Sequence, residues 1–179
     1  TIAALTEARV PLHAGQSPRV AALAAQIAAA LGLDSDTVED VETAGRLHDI
    51  GVLAIPDAIR TKTAPLTPDE IALVRAHVRT GVELLAPLRH LAPVVPFVRD
   101  HHEAWDGSGY PNGLRGDAIS IGGRILAVAD AFVAVTDGRP YSAAMPTTAA
   151  LEYLASRAGT QFDPAVVTAL RSVITSITS

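Results

Sequence analysis

The sequence contains no cysteine, a single methionine and a single tryptophan, and aromatic residues make up only 4% of it. Without cysteine the chain has neither disulfides nor thiolate metal sites, so any metal ligands must be histidine, carboxylate or water. Positive charge is also scarce, with 14 Lys and Arg residues against 19 Asp and Glu and a formal net charge of −5. This balance disfavours a surface that binds a nucleic-acid polymer, because such surfaces need clustered basic side chains.

Long apolar runs are missing too. No stretch approaches the roughly 18 apolar residues of a membrane span, and no signal peptide is visible, so we predict no membrane span and a cytoplasmic location. At 179 residues and 49% hydrophobic content, the chain has the size of one domain with its own core. We predict a single domain over residues 1–179. The missing initiator methionine suggests that it is excised from a longer multidomain protein.

Helix signals occupy most of the chain. Alanine, the strongest intrinsic helix former, is frequent, and apolar residues recur at helical spacing. Helix starts are predicted at Ser17-Pro18, at Asp34 to Asp36 and at the capping box that runs from Thr67 to Glu70. No segment alternates with the two-residue period of a strand, although the β-branched residues of the apolar run 125–136 are also compatible with a buried strand. We therefore predict an all-α fold, a compact bundle of about seven helices, over residues 17–31, 34–50, 67–87, 93–103, 125–136, 147–156 and 163–177.

Histidines and carboxylates interrupt this pattern at positions that otherwise favour burial. His48-Asp49 ends an apolar helix, His101-His102 with Glu103 precedes a Gly-rich loop, and Asp130 is the lone charge in an apolar helix. Burying such groups without partners costs several kcal/mol. Two explanations stay open at this point: a structural polar network with a satisfied core histidine, or a metal site.

The ligand types define the metal site if there is one. Imidazole and carboxylate without sulfur suit Fe, Mn, Zn, Ni or Co. Two adjacent imidazoles favour a pair of ions, and an Asp that bridges two ions about 3.5–4 Å apart is the usual core of two-metal phosphoester hydrolysis. His77 adds weak support, whereas we expect His90 to be a surface residue and Trp105 to be a packing anchor.

The order of these residues resembles the HD-GYP family, bacterial members of the HD phosphohydrolase superfamily that hydrolyse cyclic di-GMP. The resemblance covers residues 16–170 approximately. It is carried by His48-Asp49, His77, His101-His102-Glu103, Asp106 to Pro111, Asp130, Arg139-Pro140-Tyr141 and Gly159 to Pro164.

The resemblance implies an HD-domain-like helical fold with two or three divalent ions, Fe, Mn or another transition metal. Asp49 would bridge the ions and act in catalysis, and Arg139 would contact the substrate phosphate or hold the site loop. Gly109, Tyr110 and Pro111 would form the substrate-binding signature loop. The implied metal ligands are His48, Asp49, His77, His101, His102 and Asp130.

Several positions depart from the family pattern. Gln16 stands where a metal-binding histidine is expected, with His13 as a nearby substitute, and Val52 replaces a lysine. The remaining departures are Leu12 for a carboxylate, Val133 for an aspartate and Ser142 for a basic residue.

Two main hypotheses follow from the resemblance and its departures. The first is a cyclic di-GMP phosphodiesterase, intact or impaired. The second is a catalytically degenerate module that binds a nucleotide or protein partner and regulates an attached domain. A nucleotide triphosphohydrolase is a third hypothesis, disfavoured by the Gly-Tyr-Pro loop. A homodimer or a partner signalling domain is compatible with each of them.

Overall fold

A computed structural model describes residues 15–137 and 143–178. Leu12, His13, Arg139-Pro140-Tyr141 and Ser142, singled out above, lie outside the described residues. The role of Arg139 in particular stays a prediction.

The described residues form an all-α bundle, as predicted. Its helices are α1 (Gln16–Ala30), α2 (Ser35–Leu47), α3 (Asp57–Arg60), α4 (Pro68–Arg75), α5 (His77–Leu85), α6 (Val95–Asp100), α7 (Ile121–Asp137), α8 (Thr147–Ala155) and α9 (Pro164–Thr178). Three short 3₁₀ turns connect them, at Ile50–Ala54, Arg89–Leu91 and Gly116–Ala118. Within these ranges there is no strand, only an isolated bridge between Ala158 and Phe162. None of the described helices is both long and apolar enough to traverse a bilayer.

Local sequence signals place several helix starts correctly. The Asp34 carboxylate caps α2 by accepting from the Thr37 amide at 2.9 Å, and the capping box between Thr67 and Glu70 is formed in both directions at α4. The start predicted at Ser17-Pro18 is wrong. Helix α1 begins at Gln16, after Gly15 in the left-handed region with φ +80°, and receives no side-chain cap.

Several predicted helices have different limits in the structure. The helix predicted over 34–50 ends at Leu47, and the one predicted over 125–136 begins at Ile121. The helix predicted over 67–87 is divided at Ala76 into α4 and α5, and His77 begins the second of these. The helix predicted to reach residue 103 ends at Asp100. Its end is fixed because the buried Asp100 carboxylate turns to accept from the Ser120 amide at 3.1 Å, next to the start of α7. The count therefore exceeds seven through this division and the one-turn α3.

Helix α7 is the centre of the bundle and packs against α1, α2, α6, α8 and α9. Its Ile125, Leu126, Val128 and Ala129 are fully buried. The contact with α6 is close, because a Cβ on Gly122 would lie 2.2 Å from the Phe97 ring. The turn after α2 also packs closely on α5, since a Cβ on Gly51 would lie 1.9 Å from the His77 carbonyl oxygen. These approaches bring the ends of α2 and α6 and the start of α5 towards the middle of α7.

Candidate metal centre and adjoining cavity

Four separate elements supply the predicted metal ligands. His48 and Asp49 follow α2, His77 begins α5, His101 and His102 follow α6, and Asp130 lies within α7.

Three histidines of the cluster are oriented by the backbone in the same way. Nδ1 of His48 lies 2.9 Å from the Gly45 carbonyl oxygen, and Nδ1 of His77 and of His101 each lie 2.6 Å from the carbonyl three residues earlier. Because a carbonyl only accepts, each Nδ1 carries the hydrogen and leaves Nε2 as the free nitrogen. All three Nε2 atoms are buried without a hydrogen-bond partner. This is the arrangement of metal-binding histidines, whose other ring nitrogen is held by an outer partner.

Asp49 faces two groups of ligands with its two carboxylate oxygens. Oδ2 lies 3.3 Å from Nε2 of His48, whereas Oδ1 lies 3.5 Å from Nε2 of His77. On the Oδ2 side, Asp130 also lies near His48, with its Oδ1 3.9 Å from Nε2 of His48. On the Oδ1 side there is a group of four residues whose ligand atoms all lie within 4.8 Å of one another: Asp49, His77, His101 and His102. The geometry of the group around Oδ1 and its donor set fit a divalent transition metal, and Asp49 faces His48 through its other oxygen.

Electrostatics favour a cation in this cluster. Burial opposes a charge on His48, but the attraction of Asp49 outweighs it and raises the pKa of His48 to about 9. Burial would likewise raise the pKa of Asp49, yet His48 holds that pKa well below its ordinary value. By contrast, burial and neighbouring imidazoles keep the pKa of His101 well below 6.5 and lower that of His102 to about 4. The Asp49 carboxylate thus favours a positive charge at His48, whereas His101 and His102 stay neutral.

The Gly-rich loop is fixed above the cluster by Glu103. Its two carboxylate oxygens accept from the amides of Asn112, at 2.7 Å, and Leu114, at 3.0 Å. A Cβ on Gly109 would lie 2.2 Å from the Ala104 nitrogen, so the loop reaches this close approach only with glycine there. The loop places the Tyr110 ring on that of His102, with centroids 4.9 Å apart and planes 25° apart. Glu103 therefore positions the loop.

A cavity of about 520 Å³ adjoins the cluster. His101, His102 and Asp130 line it on the side of the metal ligands. Gly109 and Tyr110 of the predicted substrate loop line it as well, whereas Pro111 is exposed and is not among its lining residues. Burial raises the pKa of Tyr110 to about 12, so its phenol stays protonated and can donate a hydrogen bond. The cluster thus opens into a space large enough for a small-molecule substrate.

The comparison with protein families agrees with this arrangement. The model for the HD domain family matches residues 1–166. The chain belongs to the HD domain family. The likeness to HD-GYP proteins predicted from the motif order is thereby confirmed at the level of the family, together with its helical fold.

Curated relatives of this HD domain are phosphodiesterases of cyclic dinucleotides. The cyclic di-GMP phosphodiesterase response regulator RpfG of Xanthomonas campestris is 44% identical over 154 residues, which are 85% of this chain and 41% of the relative. The 3'3'-cGAMP-specific phosphodiesterase 2 of Vibrio cholerae is 38% identical over 168 residues, 93% of this chain and 32% of the relative. The chain therefore spans less than half the length of these curated relatives.

The fold of this HD domain also matches a solved structure. The crystal structure of a cyclic GMP-AMP specific phosphodiesterase from Vibrio cholerae superimposes with a TM-score of 0.75 at 19% sequence identity. The match covers 97% of this chain and 48% of the other. At that identity the likeness concerns the fold.

The residues that depart from the family pattern differ in how far they are buried in this HD domain. Gln16 is the half-buried first residue of α1, and Val52 is half-buried in the 3₁₀ turn after Asp49. Val133 is only 3% exposed and belongs to the hydrophobic core. Its side chain therefore contributes to packing.

Sequence reasoning missed two arginines that line the cavity, Arg75 and Arg157, and the turn Thr160 to Phe162 beside them. The turn lies inside a motif that carried the family resemblance, which was the available signal. Arg124 has a side chain that is only 16% exposed and lies 2.9 Å from carboxylates of both Asp117 and Asp163. His90 is exposed, as predicted.

Proposed function

We propose that this HD domain is a metal-dependent phosphodiesterase that hydrolyses a cyclic dinucleotide, with cyclic di-GMP as the first substrate to test. The observation that carries the proposal is the position of Asp49, whose two carboxylate oxygens face two ligand groups beside a cavity of about 520 Å³. Two-metal phosphoester hydrolysis needs such a bridging carboxylate.

We assign the metal ligands to two groups. His77, His101 and His102 complete one group around Oδ1 of Asp49, and His48 with Asp130 completes the other around Oδ2. Divalent ions held there would supply Lewis acidity towards a phosphoryl oxygen and an activated water nucleophile. The chain itself fixes the imidazoles through their Nδ1 hydrogen bonds and holds Asp49 ionised between them.

The cavity residues orient the phosphodiester. The Arg75 guanidinium lies 4.8 Å from the centroid of the Tyr110 ring, which itself stacks on His102. This chain of contacts places a permanent positive charge next to the cluster, where a phosphodiester about to be cleaved would lie. Arg139 is proposed as a further phosphate contact on the resemblance alone.

The group formed by His48 and Asp130 around Oδ2 of Asp49 is the weaker one in this proposal. Gln16, if it occupies the expected ligand position, contributes a neutral amide oxygen in place of an imidazole. We nevertheless favour the enzyme over the degenerate module. Six predicted ligands are retained, and three of them have a buried Nε2 without a hydrogen-bond partner, which a metal ion would satisfy.

The substrate class is supported by the relatives, which include cyclic di-GMP and 3'3'-cGAMP phosphodiesterases. Both substrates are cyclic dinucleotides. The choice between them is therefore part of the test.

The test combines metal analysis with turnover. Purified protein is loaded with Mn²⁺ or, without oxygen, with Fe²⁺, its metal content is measured, and hydrolysis of both cyclic dinucleotides is followed by chromatography. We expect turnover that Asp49→Asn abolishes together with at least one bound ion. Asp69→Asn, an exposed carboxylate on α4, is the matched control and should stay active. If the protein binds cyclic di-GMP but cleaves it under none of the metal conditions, the result supports the regulatory module instead.

A further inference from the structure

Arg157 is a second arginine in the cavity, and the proposed function leaves it without a role. It follows α8 and lines the same cavity as His102 and Asp130. Its partners within the described residues are neutral. The guanidinium lies 3.8 Å from the centroid of the Tyr153 ring, and Nη1 donates to the Tyr153 carbonyl at 3.4 Å and to the Ser156 hydroxyl at 3.3 Å. The ring and the two oxygens orient the charge without neutralising it.

A comparison with Arg124 makes this distinction clear. Arg124 is neutralised by two carboxylates, those of Asp117 and Asp163, each 2.9 Å away. That pairing is typical of an arginine that holds structural elements together. Arg157 instead uses one nitrogen for two long hydrogen bonds and keeps Nη2 and Nε for other partners within the described part of the chain. A guanidinium with free donors in a cavity suits a planar oxyanion such as a phosphodiester.

The chemistry of a cyclic dinucleotide calls for such a second anion site. Its two phosphodiesters belong to one ring, so a substrate with one phosphodiester on the metal ligands must place the other in the adjoining cavity. Arg75 is connected to the metal ligands through Tyr110 and His102. Arg157 is anchored separately, on Tyr153 of α8. The two arginines thus approach one cavity from different elements.

We infer that Arg157 binds the phosphodiester that is not cleaved, oriented for this by the ring of Tyr153. The inference rests on the proposed function and adds a binding residue to it. Because this phosphodiester lies away from the reacting bond, Arg157 binds ground state and transition state alike. Its loss should raise KM and leave kcat unchanged.

The experiment compares a substrate that carries two phosphodiesters with one that carries a single phosphodiester. Metal-loaded wild type and Arg157→Ala are assayed on cyclic di-GMP and on bis(p-nitrophenyl) phosphate. We expect the KM for cyclic di-GMP to rise about 10- to 100-fold, the range for loss of charge-assisted hydrogen bonds. The kcat/KM for bis(p-nitrophenyl) phosphate should stay within about twofold. Arg157→Lys, which keeps the charge but loses the planar fork, should show a smaller rise.

Arg171→Ala is the matched control. Arg171 is exposed on α9 and is not among the cavity residues, so its variant loses the same charge and should leave both substrates unaffected. Thermal melts establish that each variant is folded. Should Arg157→Ala unfold, the KM of Arg157→Lys decides the matter.

An unchanged KM for cyclic di-GMP, or an equal loss on both substrates, overturns the inference. Wild type that binds cyclic di-GMP but cleaves neither substrate contradicts the proposed function only. In that case calorimetry on the same metal-loaded proteins applies, and an Arg157→Ala Kd equal to that of wild type overturns the second anion site. Wild type that neither binds nor cleaves cyclic di-GMP or 3'3'-cGAMP overturns both.

Discussion

Glu103 offers a sharp test of how the signature loop is held above the metal ligands. The residue is only 4% exposed, and its carboxylate accepts from the amides of Asn112 and Leu114 at 2.7 and 3.0 Å. The residue directly follows two predicted metal ligands, His101 and His102, so sequence alone permits a ligand role. The substitution Glu103→Gln separates that role from loop positioning.

The magnitude follows from the two hydrogen bonds. A hydrogen bond to a charged group contributes about 1.5–3 kcal/mol. The glutamine side chain of this variant would keep one acceptor oxygen and turn its amide nitrogen towards the second backbone N–H, which loses its partner. We therefore expect a loss of about 2 kcal/mol in the free energy of unfolding, or a fall in Tm of about 4–8 °C for a chain of this length.

Calorimetric melting and metal analysis decide between the two roles. If Glu103 only positions the loop, Glu103→Gln lowers Tm and also kcat, because Tyr110 loses its fixed place on His102. The metal content of the variant then equals that of wild type. Glu103→Asp, which keeps the charge on a shorter side chain, should recover part of the Tm. Loss of bound metal with Tm unchanged would refute the reasoning.

Four further predictions concern the loop, the ligands and pH. Gly109→Ala should lower kcat/KM at least tenfold at unchanged metal content, because the added Cβ would lie 2.2 Å from the Ala104 nitrogen. Full activity of this variant would contradict the close approach of the loop to Ala104. Gln16→His should tighten binding of the weaker ion in calorimetry, and an unaltered affinity removes Gln16 from the ligand positions. Excess metal at 100 times Kd should raise Tm by about 5–10 °C, reversed by chelator, since it adds about 2.7 kcal/mol. The Lys62 ammonium lowers the pKa of Glu70 below 4.5, so ionised Glu70 stabilises the fold above that value and loses this effect as pH falls through the lowered pKa. The Tm difference between wild type and Glu70→Gln should therefore shrink in acid, and a constant difference rejects the pairing.

Local sequence signals explain how much of the fold was predictable. The capping box at Thr67 and the Asp34 cap act within one helical turn, so their residue types alone identify them. The division at Ala76 and the end of α6 at Asp100 depend on contacts with distant elements. Asp100, for instance, accepts from Ser120, twenty residues later. No periodicity in the local sequence contains that information.

The same distinction applies to the site. The predicted metal ligands form recognisable motifs, whereas the arginines enter the cavity through tertiary packing. The Trp105 amide donates to the Gln161 carbonyl at 3.1 Å and the Asp106 amide to the Thr160 carbonyl at 2.8 Å. These two bonds join the turn after α8 to the signature loop and so bring Arg157 to the cavity. Residues that meet only after such pairing carry no spacing signal.

The way the predicted ligands are held also explains how the fold around them can be kept although Gln16 and Val52 depart from the family pattern. His48, His77 and His101 are oriented by carbonyls of their own helical turns, and Asp130 by its place in the central helix α7. None of these supports depends on the side chain of Gln16 or Val52. Substitution at those two positions can therefore change affinity for an ion or a phosphate while the remaining ligands stay in place. The backbone determines where the cluster forms, and we expect the altered side chains to affect how tightly the group of His48 and Asp130 binds an ion.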